Sequence, residues 1–182
     1  MRKLFIALQL LLFTGFASST KILTSTNVFW GTDGGNVFPG VSVPFGMVKL
    51  GPEVLAGWQP TSGYRSDEPI VGFSHTRTSG TGGAPRYGNF LIVPQIDSMR
   101  LKELFKYTKL NEAGYPGYYT VTLKDKNSYI KAELTASQKV GYHRYTFTKK
   151  YSQTNALNAN ILIDVSNTLT RLTNNKPGTY WT

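Results

Sequence analysis

The run Tyr118-Tyr119-Thr120-Val121-Thr122-Leu123-Lys124-Asp125-Lys126-Asn127-Ser128-Tyr129-Ile130-Lys131-Ala132-Glu133-Leu134-Thr135-Ala136 reads as two strands and the hairpin between them. Successive side chains of an extended chain point to opposite sides, so Tyr119, Val121 and Leu123 share one face of the first strand. Ile130, Ala132, Leu134 and Ala136 share one face of the second. Asp125-Lys126-Asn127-Ser128 supplies the turn formers that join them. Such a pair has one apolar face to bury and needs a second layer to bury it.

The same parity continues outward. Tyr142, Arg144 and Thr146 alternate with Tyr145 and Phe147, and Ile161, Ile163 and Val165 mark a further strand. From Ile22 to about Gln95 the chain is dense in glycine and proline. Its short apolar pieces, Val41–Val43, Phe45–Leu50 and Phe90–Val93, predict loops carried on a few strands. Only Met99–Tyr107 reads as a short helix. Asn174-Asn175-Lys176-Pro177-Gly178 is a turn, and Thr179–Thr182 reads as the start of another element, so the sheet is expected to be incomplete at the C-terminus. Many short, turn-bounded strands predict an all-β fold, an antiparallel β-sandwich. An eight-stranded outer-membrane barrel competes, but long Gly-rich loops and weak outward apolar alternation argue against it.

Arg2 and Lys3 precede the apolar stretches Leu4–Leu8 and Leu10–Phe13, followed by Ala17, Ser18 and Ser19. This pattern predicts a signal peptide over residues 1–19 and an exported domain over 20–182, soluble and free of the membrane after cleavage. The apolar stretch is shorter than the roughly 20 residues a membrane-spanning helix needs. With no cysteine, neither a disulfide framework nor a thiolate zinc site can form. The net charge of +10 becomes +8 once Arg2 and Lys3 leave. The basic residues between Arg100 and Lys150 are spread singly, with no recognition helix or RNA-binding aromatic motif, so a solvated basic face is expected and no nucleic-acid partner.

Gly72-Phe73-Ser74-His75-Thr76-Arg77-Thr78-Ser79-Gly80-Thr81-Gly82-Gly83 runs from a strand-like start into a polar loop that brings backbone N–H groups and hydroxyls close to a ligand. It lacks the Gly-x-x-x-x-Gly-Lys-Ser/Thr pattern of a phosphate loop. For His75 a structural role, an imidazole tying two loops together, stands level with ligand binding, and His143 reads as a satisfied sheet residue. Trp58 is either a core plug or a platform for the apolar face of a sugar, and nearby Ser62, Gly63 and Tyr64 favour the platform. Catalysis is a different matter. Glycoside hydrolysis needs two carboxylates about 5 to 9.5 Å apart, whereas Asp67 and Glu68 are adjacent and point apart. No Gly-x-Ser-x-Gly elbow and no spaced metal ligands occur. No catalytic residue and no metal ligand is expected within the chain.

Asn36-Val37-Phe38-Pro39-Gly40-Val41-Ser42-Val43-Pro44-Phe45-Gly46-Met47-Val48 resembles the opening signature of glycoside hydrolase family 92, and the Gly72–Gly83 loop its next landmark. Gly114-Tyr115-Pro116-Gly117-Tyr118-Tyr119, Ala132–Ala136 and Gly141–Phe147 are similar to the family's N-terminal domain in the same order. Asn27-Val28-Phe29-Trp30-Gly31-Thr32 departs from the usual Asn-Pro-Phe-Ile-Gly-Thr, and Arg77 stands where histidine is common. The resemblance implies an exported, bacterial, periplasmic or extracellular, calcium-dependent inverting exo-α-mannosidase. In that family an N-terminal β-sandwich joins a C-terminal (α/α)6 barrel that carries most of the acid, base and calcium ligands. This chain is then the N-terminal part, inactive alone, with α-mannoside glycans and the barrel as its partners and calcium held outside it. The resemblance turns Trp58, Tyr64, His75, Arg77, Ser79, Gly80 and Thr81 toward the substrate. The contrasting reading is a stand-alone carbohydrate-binding or adhesive sandwich in which Trp58 and Tyr64 hold glycan without cleaving it.

Overall fold

The computed structural model describes residues 26–34, 36–54, 61–78, 87–97, 99, 106–149 and 158–169. The signal-peptide segment, Trp58, Ser79–Thr81 and the 174–182 segment lie outside the described residues.

The run Tyr118–Ala136 forms the centre of one antiparallel sheet, in which β4 (Thr108–Tyr115), β5 (Tyr118–Asp125), β6 (Ser128–Ala136) and β7 (Gly141–Lys149) lie in chain order. Tyr119, Val121 and Leu123 stand opposite Leu134, Ala132 and Ile130. All six are buried, because directly opposed residues of an antiparallel pair share a face. Across β6 the same face continues into His143, Tyr145 and Phe147. The opposite face carries Glu133, gripped by the Arg144 guanidinium at 2.7 and 2.9 Å. Pro116-Gly117 closes β4–β5 with Gly117 at φ 86, the backbone that a Pro-Gly turn of this kind requires. Asp125 pairs with Ser128 across a two-residue loop in which Lys126 takes φ 52.

The second sheet has the order β1 (Gly51–Val54), β2 (Ile70–Ser74), β3 (Leu91–Ile96), β8 (Ala159–Asp164), so its last strand comes from far along the chain. The two sheets bury Phe73, Leu50, Leu91 and Val93 against the apolar face of β5–β7. Phe73 lies 6.0 Å from Tyr145, ring centre to ring centre. The expected all-β sandwich is therefore present. The row Phe73, Ile92, Ile163 crosses three strands in register, but its burial declines from complete at Phe73 to 59% exposure at Ile163. Ile161 and Val165 are exposed with it, while Leu162 turns inward.

The helix expected over Met99–Tyr107 is corrected where it is described. Tyr107 pairs with Ile70 through reciprocal backbone hydrogen bonds and donates its hydroxyl to the Pro94 carbonyl at 2.7 Å. A buried aromatic with a hydrogen-bonded hydroxyl gains more from this extended pairing than local helix preference offers. Residues 100–105 lie outside the described residues.

Candidate functional site

Beyond Ser74 the chain leaves β2 and makes the base of a loop. Arg77 bridges to Tyr87, and Gly88 N–H donates to the Thr76 carbonyl at 2.7 Å. The Ser79-Gly80-Thr81 stretch lies between these two arms. The loop bearing Trp58 returns at Thr61, whose carbonyl accepts from the Thr78 hydroxyl at 3.4 Å. The structure thus brings the bases of the two sequence-predicted loops together, although their tips lie outside the described residues.

Arg77 is the joint between them. Its guanidinium donates to the carbonyls of Gly51 (2.6 Å), Pro52 (2.7 Å), Ser62 (3.2 Å) and Ser74 (3.3 Å), and to the Ser74 hydroxyl (2.7 Å). The carbon of the fork sits 4.5 Å above the centre of the Phe38 ring. A planar fork of donors suits a cluster of carbonyls, and lysine could not reproduce it. Burial lowers its pKa to about 10, with Glu53 acting in the opposite direction, so the guanidinium stays charged at neutral pH. Arg77 is expected from the sequence to face substrate. In the structure it is buried and spends its donors on the chain itself.

Tyr64 is likewise interior. Its hydroxyl donates to both oxygens of Glu112 at 3.0 Å, and Lys109 lies 4.6 Å from its ring centre. Tyr119 reaches the same carboxylate at 2.6 Å. Glu112 can meet both because β4 bulges between Leu110 and Ala113, with Asn111 at φ 50, and the bulge re-aims a side chain that strict pairing would turn away. Burial, followed by the Glu112 charge, pushes both phenols upward, so they remain neutral donors.

His75 is half-buried. Its Nδ1 lies 3.0 Å from the Phe90 carbonyl and its Nε2 3.1 Å from Nε2 of His143, so the imidazole ties the loop to the facing sheet. The role is structural, with the facing sheet in place of the second loop expected from the sequence, and His143, also bonded to Tyr145, is a satisfied sheet residue.

Two contributors were not visible in the sequence. Glu53 is wholly buried, and Asn167 donates to it at 2.9 Å and to the Gly88 carbonyl at 2.7 Å. Burial pushes the Glu53 carboxyl above its usual range, with Asn167 and then Arg77 pulling it back. Its Oε2 has no hydrogen-bond partner. The alternation of β1 marks Glu53 only as one acid in an apolar strand, and nothing local marks Asn167 as its partner.

Among the described residues no group of three His, Asp or Glu side chains could hold a metal ion, so the described part does not fit a calcium site. A shallow recess of about 350 Å³, lined by Ile96, Asp97, Asp125–Ser128 and Lys149, lies at the other end of the sandwich, remote from the loop bases.

The Glycosyl hydrolase family 92 N-terminal domain matches residues 25–180. An uncharacterized secreted glycosidase of Arthroderma benhamiae is 33% identical over 144 residues, covering 74% of this chain and 18% of that protein. The family 92 glycosyl hydrolase CcMan5 superposes with a TM-score of 0.63 and 25% identity, covering 79% of this chain and 20% of that one. The chain thus spans about a fifth of the length of these relatives. Domain, order of motifs and superposition agree that this chain belongs to glycoside hydrolase family 92, as its N-terminal domain.

Proposed function

We propose that this chain is the N-terminal part of an exported α-mannosidase and supplies one wall of its substrate pocket, with Trp58, Ser79, Gly80 and Thr81 on the wall and Tyr64, His75 and Arg77 behind it. The observation that carries this reading is the meeting of the two loop bases at Thr61 and Thr78, held by the Arg77 fork. A wall of this kind positions a glycan by stacking and hydrogen bonding while the reacting groups come from elsewhere. The described acids support that division. Glu53, Glu112 and Glu133 are occupied in buried or paired structural contacts.

The acid, the base and the calcium ion of the mannosidase reading belong to residues outside the described part. What the present residues do is bind and orient. Export follows from the N-terminal reading, and the A. benhamiae relative is itself named a secreted glycosidase.

The test is mannose release from α-mannobiose, with calcium and with chelator, by this chain and by a form extended through the downstream coding sequence. Calcium-dependent release by the extended form alone is the expected result. If neither form cleaves while the short chain binds mannosides, the chain is a binding module and the enzymatic reading is wrong.

A further inference from the structure

The two histidines of the sequence, 68 residues apart, meet ring to ring between the sheets. The hydrogen-bond chain through them has one direction when both rings are neutral. A carbonyl oxygen only accepts, so His75 Nδ1, 3.0 Å from the Phe90 carbonyl, carries a hydrogen, and in the neutral ring its Nε2 is a lone pair. The facing Nε2 of His143, 3.1 Å away, must then supply the one hydrogen between them. That leaves His143 Nδ1 to accept from the Tyr145 hydroxyl at 2.7 Å. The neutral chain runs Tyr145 O–H to His143, His143 to His75, and His75 to Phe90.

One added proton does not break it. Protonated His75 donates from both nitrogens, His143 moves its own hydrogen to Nδ1, and the Tyr145 hydroxyl turns from donor to acceptor. A second proton leaves two N–H groups pointing at each other across the gap, and no rotation of either ring's partners repairs that.

We infer that His75 and His143 form a proton-counting clamp on the base of the candidate loop, which tolerates one proton and releases at the second. His143 is in this sense a positioning residue for the loop. The inference rests on the proposed pocket wall only for its consequence for substrate, and the clamp itself is testable without any glycan.

The surroundings fit. His75 is the first residue after β2, its N–H donates to the Asn89 carbonyl, and its carbonyl accepts from Lys49 N–H. Loss of the clamp therefore reaches both arms of the loop base. Gly141, at the start of β7, lies so close that a Cβ there would come within 2.9 Å of the His75 ring and 3.1 Å of Leu50. Tyr145 is the other titratable group bonded to the pair, and burial keeps its phenol neutral. Arg144, next to His143, turns to the outer face and pairs with Glu133. Among the described residues no carboxylate is hydrogen-bonded to either imidazole. Burial, followed by the charge of His75, holds His143 down at about 4, so the clamp weakens as pH falls below the ordinary 6.5 and its loss is complete near 4.

The experiment uses the full chain, with ¹⁵N NMR of the histidines and amide exchange corrected for intrinsic pH dependence. At neutral pH His75 is expected as the Nδ1–H tautomer and His143 as the Nε2–H tautomer. Protection of the His75 and Gly88 amides should be full above about pH 6.5, fall at least tenfold as pH drops toward 4 and level off below it, while Ile130 in the β5–β6 core stays protected. In His143→Gln the amide donates to neutral His75 or accepts from its cation without titrating, so protection at the loop base should persist through the same range. In Gly141→Ala, protection should be low at every pH. The opposite tautomers, or a His143→Gln profile that falls together with wild type, would overturn the clamp, as would a wild-type profile that stays flat.

Discussion

The two sheets of this domain are built on different terms. The β4–β7 sheet pairs neighbours in chain order and buries one apolar face by plain alternation. The β1-β2-β3-β8 sheet joins remote segments and holds its short strands and loop bases with buried polar groups, above all Arg77 and Glu53. A regular sheet stands on area removed from water, whereas a loop platform needs donors that reach several backbone carbonyls at once. The difference separates a scaffold from the loop platform it carries.

The largest expected effect is on the platform. Arg77→Met removes every donor of the fork and leaves buried carbonyls unpaired beside an uncompensated Glu53, which should cost about 3–5 kcal/mol in urea unfolding. A loss below about 1 kcal/mol would show that the fork is not what holds the loop bases. Leu134→Ala probes the scaffold by ordinary cavity formation and should cost about 2–4 kcal/mol by the same method. The two losses should differ in where amide protection disappears, at Gly88 for Arg77 and across β5–β7 for Leu134.

The turns give smaller effects of opposite sign. Gly117→Ala meets no neighbour within 4 Å, so its cost, about 1 kcal/mol, reports the left-handed backbone alone. Lys126→Gly relieves an L-residue held at φ 52 and should stabilise the hairpin by about 0.5 kcal/mol, read as a rise in Tm.

Acid should reach the sheets at different pH. Arg144, followed by Tyr118, holds Glu133 down at about 2, below its ordinary 4.5. The stability it lends the outer face is complete above 4.5 and lost as pH falls toward 2. For His143, held at about 4 against an ordinary 6.5, stability is complete above 6.5 and lost as pH falls toward 4. An acid titration followed residue by residue should therefore show the loop base loosening before the outer face of the scaffold does. The reverse order would break the comparison.

Legibility in the sequence followed the same division. Tyr119, Val121, Leu123 and their partners on β6 were readable because alternation is a local signal, and Asp125–Ser128 because turn chemistry is. Tyr107 was misread because its partner Ile70 lies far back in the chain and the residues between give no sign of it. The loops were found through their glycines and His75, but the roles of Tyr64 and Arg77 behind them were not. A side chain's direction there depends on a bulge at Glu112 and on carbonyls of remote strands. Glu53 and Asn167, 114 positions apart, leave no pattern at all.

The most direct test of the account is an NMR titration of the chain with α-mannobiose. Shifts confined to the loop bases, Thr61–Tyr64, Thr76–Thr78 and Tyr87–Asn89, with β4–β7 unmoved away from His143, are the predicted result. Shifts centred on the outer face of β4–β7, around the stacked Tyr115 and Tyr118, would place glycan on the scaffold and contradict it.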